Sequence, residues 1–149
     1  MVNDEKFMKE ALIEAQIAAE NGEVPVGAVI VQDDTIIARA HNQVEADRSS
    51  ASHAEMLAID AAEQALNSKW LLDATMYVTL EPCSMCAGAI VLARIPRLVI
   101  GTMDPKTGAC GSRLNIANNE DLNHRVEIKT GVLSDECATI LKDFFKNKR

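Results

Sequence analysis

The residue types best suited to chemistry lie in two short segments, His53-Ala54-Glu55 and Pro82-Cys83-Ser84-Met85-Cys86. The histidine and both cysteines are good zinc ligands, and three protein ligands leave the fourth tetrahedral position free for water, as in a catalytic zinc site. The glutamate is the additional group, because a water on zinc needs a nearby carboxylate that takes its proton and passes it on. Together the two segments predict a hydrolytic zinc centre.

The spacing within each segment indicates how these side chains could meet. Cys83 and Cys86 are three residues apart, so in the first turn of a helix both sulfur atoms lie on one side, where the helix N-terminus favours thiolates. His53 and Glu55 are two residues apart, which is roughly 200° around a helix axis. They can share a site only where a loop becomes a helix. We therefore expect two helices whose N-termini point at one metal ion.

Other interpretations use the same residues. A Cys-x-x-Cys motif alone could be a redox pair, and a lone histidine is most often a surface residue or a satisfied core residue. A nucleic-acid-binding module with structural zinc would need a fourth protein ligand, and the candidates are His41, His124, Cys110 and Cys137. A structural site has no use for Glu55, so the combined pattern favours the catalytic centre.

The composition is that of an ordinary globular domain. Among 149 residues, 48% are hydrophobic and 25% are charged, which suits one domain, residues 1–149, with a sizeable core. The start of the chain has no basic region followed by an apolar run, and no apolar stretch approaches the ~20 residues of a membrane span. We therefore expect a cytoplasmic protein outside the membrane, with reduced cysteines and with Cys110 and Cys137 as small buried side chains.

The formal net charge of −7 is unfavourable for binding nucleic acid, whose phosphates are neutralised by lysine and arginine. A nucleic-acid partner would therefore depend on local basic groups. We expect these groups to gather on one side in a dimer, with the acidic residues on the other side, and they are Arg94, Arg97, Lys106, Arg125, Lys146, Lys148 and Arg149.

Hydrophobic periodicity and turn residues predict an α/β domain. Helices are predicted from Asn3 or Asp4 to Gly22, from His53, from Ser84 to about Arg94, near Leu114 to Ala117, and from about Ser134 to Phe145. Strands are predicted at 24–31, 35–40, 75–80, 97–101 and 126–130. The first two strands form an antiparallel hairpin, whereas the later strand–helix units imply parallel pairing. The fold class is a three-layer α/β/α arrangement, a mixed five-stranded sheet with helices on both faces.

Three positions outside the two segments have alternative interpretations. Gly27 weakens its strand unless another group approaches closely; a ligand is one candidate, and a bulge is the other explanation. Asn42 closes the second strand, where its amide could hydrogen-bond a heterocycle or form a turn. The irregular segment 102–112 carries Asp104 and Lys106, and a long loop in a compact domain is often functional.

With these residues assembled, the sequence resembles the bacterial tRNA adenosine deaminases, a family of the cytidine deaminase-like zinc deaminases, over nearly its whole length. The His-x-Glu and Pro-Cys-x-x-Cys segments are the signature of that superfamily. The narrower resemblance rests on Gly22-Glu23-Val24-Pro25-Val26-Gly27-Ala28, Asp104-Pro105-Lys106-Thr107-Gly108, Asn123-His124-Arg125-Val126-Glu127 and Asp143-Phe144-Phe145. The chain departs from the family at Ser50-Ala51-Ser52, where Pro-Thr-Ala is common, and at Ser84, where valine is frequent.

The resemblance implies a homodimer that converts the wobble adenosine of an arginine tRNA anticodon to inosine and releases ammonia. One zinc ion per subunit would be held by His53, Cys83 and Cys86. Glu55 would act first as a base toward the attacking water and then as an acid toward the purine ring nitrogen and the departing ammonia. The fold implied is the cytidine deaminase-like α/β/α sandwich.

The resemblance also implies substrate contacts. Asn42 and the backbone around Ala54 would read the purine edge, and Val26 would pack on its face. Contacts to neighbouring nucleotides would come from Asp104, Lys106, Asn123, Phe145 and Arg149, and a dimer could supply some of them from the neighbouring subunit. A deaminase of a free base or nucleoside, such as guanine or cytosine, is the nearest alternative, and it would need a pocket closed over a small ligand.

Overall fold

The sheet and helices are seen in a computed structural model that describes residues 3–147. The helices are α1 (Asp4–Glu20), α2 (Val44–Asp47), α3 (Ala54–Leu66), α4 (Ser84–Leu92) and α5 (Ser134–Asn147). The strands are β1 (Gly27–Gln32), β2 (Thr35–His41), β3 (Thr75–Leu80), β4 (Arg97–Thr102) and β5 (Glu127–Thr130). Phe145 lies within α5, whereas Arg149 and Lys148 lie outside the described residues.

The five strands form one mixed sheet in the order β2-β1-β3-β4-β5. Strand β1 is antiparallel to both β2 and β3, and the β3–β4 and β4–β5 pairs are parallel. Because parallel strands need a crossover, α4 connects β3 to β4 over one face of the sheet. The predicted hairpin and the predicted parallel half of the sheet are both confirmed.

Helices cover both faces of the sheet, because successive strand residues point to opposite sides. One face packs against α3 and α4, with a core that includes Ile30, Met76, Ala58, Ala62 and Ile90. The other face packs against α1 and α5, through Val29, Tyr77, Phe7, Met8 and Cys137. The predicted three-layer arrangement is confirmed, and Cys110 and Cys137 are buried as expected.

Gly27 is explained by helix packing and by neither a ligand nor a bulge. A Cβ atom on Gly27 would lie 2.0 Å from the Ala11 carbonyl oxygen and 2.6 Å from the Ala15 backbone nitrogen. The irregularity in the β1–β2 ladder is at Ile30 and Val31 instead. The backbone of α1 therefore lies directly against the start of β1, and only glycine fits there.

Two further local predictions are wrong. The segment near Leu114 to Ala117 is no helix, because Asn115 forms an isolated bridge with Cys110 and its side chain turns the chain by accepting from the Asn118 backbone N–H. Between β2 and α3, residues 44–47 form the short helix α2, which is not among the predicted helices. Within residues 3–147, no helix is long and apolar enough to cross a membrane.

Candidate active site

Two helix starts meet at one point of the structure. His53 is the N-cap residue of α3 and Cys83 is the N-cap residue of α4, and both have extended backbone with ψ of 151° and 178°. Neither side chain caps its own helix. Both are therefore free to point toward Cys86, which is buried in the first turn of α4.

We call the group of His53, Cys83 and Cys86 the metal corner. The Nδ1 atom of His53 lies 3.6 Å from Sγ of Cys83 and 3.4 Å from Sγ of Cys86, and the three donor atoms lie within 4.8 Å of one another. Zinc bonds of ~2.3 Å to sulfur and ~2.0 Å to nitrogen, at tetrahedral angles, separate the two donors by ~3.6 Å. The donor set and its spacing therefore fit a zinc ion.

The metal corner has three protein donors. Within the described part of the chain, these three residues are the only group of His, Cys, Asp and Glu side chains so arranged. None of the proposed fourth ligands belongs to this group: His41 Nδ1 lies 3.0 Å from Glu14, His124 Nε2 lies 2.7 Å from the Ile95 carbonyl oxygen, and Cys110 and Cys137 are buried outside it. A corner with three donors suits a catalytic metal ion better than a structural one.

The thiol groups of the corner differ in acidity. The hydrogen bond from Cys86 lowers the pKa of Cys83 to about 5, against the opposing effect of burial. The same hydrogen bond, together with burial and the nearby Glu55 carboxylate, raises the pKa of Cys86. A thiolate at Cys83, held at a helix N-terminus, is the protonation state that a soft metal ion needs.

Glu55 lies in the first turn of α3, beside the corner, and is buried. Burial raises the pKa of its carboxyl group to about 7, and the hydrogen bond with Cys86 opposes that rise. A carboxyl group with a pKa near neutrality can both accept and donate a proton. The structure thus places a group capable of proton transfer next to the three donors.

A cleft of about 280 Å³ opens above the metal corner. Its volume is just below the ~300–1,000 Å³ typical of small-ligand pockets, which suits one flat heterocycle. Of the residues predicted to contact substrate, four line the cleft, and these are Val26, Asn42, Ala54 and Asp104. The cleft is therefore where the sequence prediction placed the substrate.

Asn42 and Asp104 also hold their own loops in shape. The Asn42 side chain donates to the Val24 carbonyl oxygen at 3.3 Å and accepts from the Val44 backbone N–H at 3.4 Å, so the turn interpretation of Asn42 is confirmed. Asp104 accepts from the backbone N–H groups of Lys106 and Thr107 at 3.0 and 3.2 Å. These bonds fix each side chain at the rim of the cleft.

The other predicted contacts lie away from the cleft wall. Lys106 and Asn123 are exposed, and the Phe145 ring is 51% exposed with an edge contact to Phe144. A second cavity between α1 and α5 is lined by Phe144 and Asn147 and shares Gly22 with the cleft. The end of α5 therefore lies beside the cleft entrance, while Arg149 is beyond the described residues.

Arg94 and Arg97, two of the basic residues expected to gather on one side of a dimer, lie away from the metal corner of their own subunit. The metal corner lies at the carboxyl end of β3. Arg94 follows α4 and Arg97 begins β4, so both lie at the amino end of these parallel strands. Arg97 donates twice to Asp4, at 2.9 Å each, and the Arg94 guanidinium lies 5.7 Å from the centre of the Trp70 ring. Both cations interact with other parts of the fold and do not face the cleft.

Two cleft-lining carboxylates were missed by sequence reasoning. Glu23 is buried and accepts from the backbone N–H groups of Glu45 and Ala46, at 2.9 and 2.8 Å, at the start of α2. Glu81 is buried and accepts hydrogen bonds from the loop that follows β4. Glu23 lies inside a segment that carries the family resemblance and Glu81 directly precedes another, so acidic residues beside Val-Pro and Pro-Cys in apolar surroundings were the available signal.

Comparison with known proteins finds deaminases. The sequence matches the family of MafB19-like deaminases over residues 2–149. A tRNA-specific adenosine deaminase of Bacillus subtilis is 52% identical over 149 residues, which cover 100% of this chain and 92% of that protein. A tRNA-specific adenosine deaminase of Aquifex aeolicus is 48% identical over 145 residues, which cover 97% of this chain and 95% of that protein.

Solved structures show the same architecture. One from biochemical and structural studies of A-to-I editing by tRNA:A34 deaminases at the wobble position of transfer RNA superimposes with a TM-score of 0.88 and 43% identity, covering 91% of this chain and 99% of that chain. A guanine deaminase from Nitrosomonas europaea has a TM-score of 0.84 at 22% identity, covering 97% of this chain and 85% of that chain. The second likeness shows the fold alone.

Proposed function

This chain belongs to the bacterial tRNA-specific adenosine deaminases, and we propose that it hydrolyses the wobble adenosine of an arginine tRNA anticodon to inosine, with one zinc ion per subunit. The proposal covers one domain, residues 1–149, acting in the cytoplasm. The observation that supports it most is that the three donors of the metal corner and the buried Glu55 carboxylate lie at one cleft, whose volume suits a single base.

Zinc held by His53, Cys83 and Cys86 would supply a Lewis acid that lowers the pKa of water from 15.7 to about 7. The chain would hold the two sulfur atoms and the imidazole nitrogen at the distances that tetrahedral zinc requires. The positions of His53 and Cys83 at two helix N-termini set these distances. No other His, Cys, Asp or Glu side chain of the described residues joins the corner, and His53 and Cys83 line the cleft, so water and substrate would reach the corner from that side.

Glu55 would move the protons of the reaction. Adenosine and water give inosine and ammonia, so one proton of the attacking water must reach the purine ring nitrogen and the other must reach the departing amino group. Glu55 lines the cleft beside the corner, and its raised pKa suits a group that acts as base and then as acid.

The purine would enter the cleft with its edge toward the metal corner. Val26 would pack on the face of the ring, while the Asn42 amide and the backbone at Ala54 would read its polar edge. A base must leave its stack to enter such a cleft, and an anticodon loop presents unpaired bases, so the cost of extrusion is low there.

Nucleotides beside the wobble base would lie along the rim. Asp104 and Lys106 would contact them from the loop after β4, and Asn123, Phe145 and Arg149 would contact the splayed loop, with Phe145 as an exposed aromatic ring that could stack on a base. The net charge of −7 makes these few contacts the main source of RNA affinity, so we expect shape and stacking to contribute more than long-range attraction.

We also propose a homodimer, supported by the outer face of α4. Along this nine-residue helix, Met85 and Leu92 are 37% and 78% exposed and Gly88 faces open space, so the uncovered face is apolar. Leu92→Glu should shift the protein from dimer to monomer in light scattering. Ile13→Glu, on the opposite face of the sheet, is the control, and a monomeric wild-type protein would contradict the proposal.

The deciding experiment offers the purified protein, with its zinc measured by elemental analysis, several substrates. These are an arginine anticodon stem-loop with adenine at the wobble position, the same stem-loop with adenine at a neighbouring position, and free adenosine, cytidine and guanine. We expect inosine and ammonia from the first substrate only. Turnover restricted to the free compounds would reject the tRNA assignment, and the absence of bound metal would reject the zinc centre.

A further inference from the structure

Glu81 is a buried carboxylate that takes no part in the chemistry proposed above. It lies between the end of β3 and Cys83, and its side chain is 3% exposed. Because an unpaired buried carboxylate is costly, its hydrogen bonds indicate what it is for.

Every hydrogen bond to the Glu81 carboxylate comes from the segment 103–115, which we call the rim loop. The Oε1 atom accepts from the Asp104 backbone N–H at 2.9 Å and from the Ser112 hydroxyl. The Oε2 atom accepts from the backbone N–H groups of Cys110 and Ser112, at 3.0 Å each. One carboxylate thus binds three residues of a loop that contains no helix, and these are Asp104, Cys110 and Ser112.

The rim loop is closed tightly around this carboxylate. A Cβ atom on Gly108 would lie 2.2 Å from the Glu81 carboxyl carbon, so glycine is required for the approach. The Ala109 backbone N–H donates to the Pro82 carbonyl oxygen at 2.9 Å. The loop is therefore tied both to Glu81 and to the residue that precedes Cys83 of the metal corner.

We propose that Glu81 is a positioning residue for RNA recognition: it fixes the rim loop so that Asp104 and Thr107 form one wall of the cleft. The inference rests on the proposed function. Both residues line the cleft, and the Asp104 carboxylate accepts from the Thr107 hydroxyl at 2.7 Å, so the anchor at the Asp104 N–H sets the position of both. Glu81 acts through the loop and touches no reacting atom.

The test is Glu81→Gln, which keeps the shape and removes one acceptor oxygen. The amide oxygen can still accept from Cys110 and Ser112, and the Ser112 hydroxyl can turn to accept from the amide NH₂ group. The Asp104 N–H then faces a donor and loses its partner. We expect KM for the stem-loop to rise about tenfold, with kcat at saturation within about threefold and zinc content unchanged, because about 1.4 kcal/mol of positioning is lost.

Two further variants make the result specific. Ser112→Ala removes only the hydroxyl contact, and we expect KM to rise by no more than about threefold. Asp4→Asn makes the same chemical change at a buried carboxylate of α1 that pairs with Arg97 at the amino end of β4. The KM of this variant should equal that of the wild-type protein. An unchanged KM in Glu81→Gln, or a loss of zinc that accounts for its loss of turnover, would overturn the positioning role.

A measurement without turnover separates this inference from the proposed function. Amide hydrogen exchange in Glu81→Gln should become faster in peptides from 103–115 and stay at the wild-type rate in peptides from α3 and α4. A wild-type protein that fails to deaminate the stem-loop would refute the proposed function alone. Unchanged exchange in the rim loop of Glu81→Gln would refute the anchoring by Glu81, whatever the substrate.

Discussion

The metal corner and the walls of the cleft are built in different ways. At the corner, two short segments each supply their chemistry from the first turn of a helix, and residues within one segment are two or three positions apart. At the walls, one buried carboxylate holds a loop from far away in sequence: Glu23 holds α2 from 22 residues away and Glu81 holds the rim loop from 23 to 31 residues away.

This difference separates chemistry from recognition. Local helix geometry sets the direction of the donors within each segment, so the sequence motifs were enough to predict which residues form the corner. The walls depend on hydrogen bonds between segments, so a single acidic residue controls where several substrate-facing groups lie. We therefore expect substitutions in the corner to abolish turnover, and substitutions of the wall carboxylates to change mainly KM.

The largest effect in this comparison is expected from Glu55→Gln. The change keeps the size of the side chain and removes the proton carrier, so kcat should fall by about 10²- to 10⁴-fold while zinc content and thermal stability stay near the wild-type values. Single-turnover release of ammonia from the stem-loop measures the loss. Asp60→Asn, at an exposed position of the same helix, is the control and should keep full activity.

Full activity in Glu55→Gln would show that another group moves the protons. Loss of zinc from this variant would show instead that Glu55 belongs to the structural support of the corner. Either result would weaken the division between a local chemical corner and long-range walls, because the burial of Glu55 would then serve the fold.

The sequence alone was enough to predict the corner and most of the fold. Helix spacing predicted that Cys83 and Cys86 face one side and that His53 begins a second helix, and the structure brings the three donors within 4.8 Å of one another. The mixed five-stranded sheet followed from the alternation of strands and helices, because parallel pairing requires crossovers.

The remaining features depend on contacts that no local pattern encodes. Gly27 suggested a ligand or a bulge, but α1 packs there, at a distance set by the whole layer. Arg97 was grouped from its charge with other basic residues, whereas its partner Asp4 is 93 residues earlier in the chain. Glu23 and Glu81 had no predicted role because most of their partners are backbone N–H groups, which leave no trace in residue type.

An intermediate effect is expected at the second wall. Glu23→Gln replaces one of the two acceptor oxygens by an amide NH₂ group. One of the two backbone N–H groups at the start of α2, that of Glu45 or that of Ala46, then loses its acceptor. The loop that carries Asn42 should then loosen, and KM for the stem-loop should rise about three- to tenfold with little change in kcat. Steady-state kinetics on the stem-loop measures this change.

Glu20→Gln provides the matched control, since Glu20 is exposed at the end of α1 and should tolerate the change. A fall in kcat with unchanged KM in Glu23→Gln would contradict the assignment of this carboxylate to recognition. Combining Glu23→Gln with Glu81→Gln sharpens the comparison further: because the two carboxylates hold separate loops, their effects on KM should multiply.

The smallest effect on catalysis is expected at Asp4, a buried carboxylate that holds the fold and lies far from the cleft. Asp4 accepts hydrogen bonds from Arg97 at 2.9 Å, from Lys129 at 2.8 Å and from the Tyr77 hydroxyl at 2.8 Å. The hydrogen bonds from Arg97 lower the pKa of Asp4 well below its usual range, despite the opposing effect of burial. In the unfolded chain the pKa of an aspartate is ~3.9.

The pH dependence of stability follows from this difference in the pKa of Asp4 between the folded and unfolded states. Because the pKa is lower in the folded state, the stability from Asp4 is fully present above the unfolded value and is lost as pH falls from about 4 toward the folded pKa. Asp4→Asn should therefore reduce the free energy of unfolding at pH 7 by about 2 kcal/mol, and the difference from the wild-type protein should shrink below pH 4. Urea unfolding at both pH values measures it, with KM for the stem-loop unchanged. A raised KM in Asp4→Asn would mean that carboxylates outside the walls also control recognition, and the distinction between the cleft and the rest of the fold would fail.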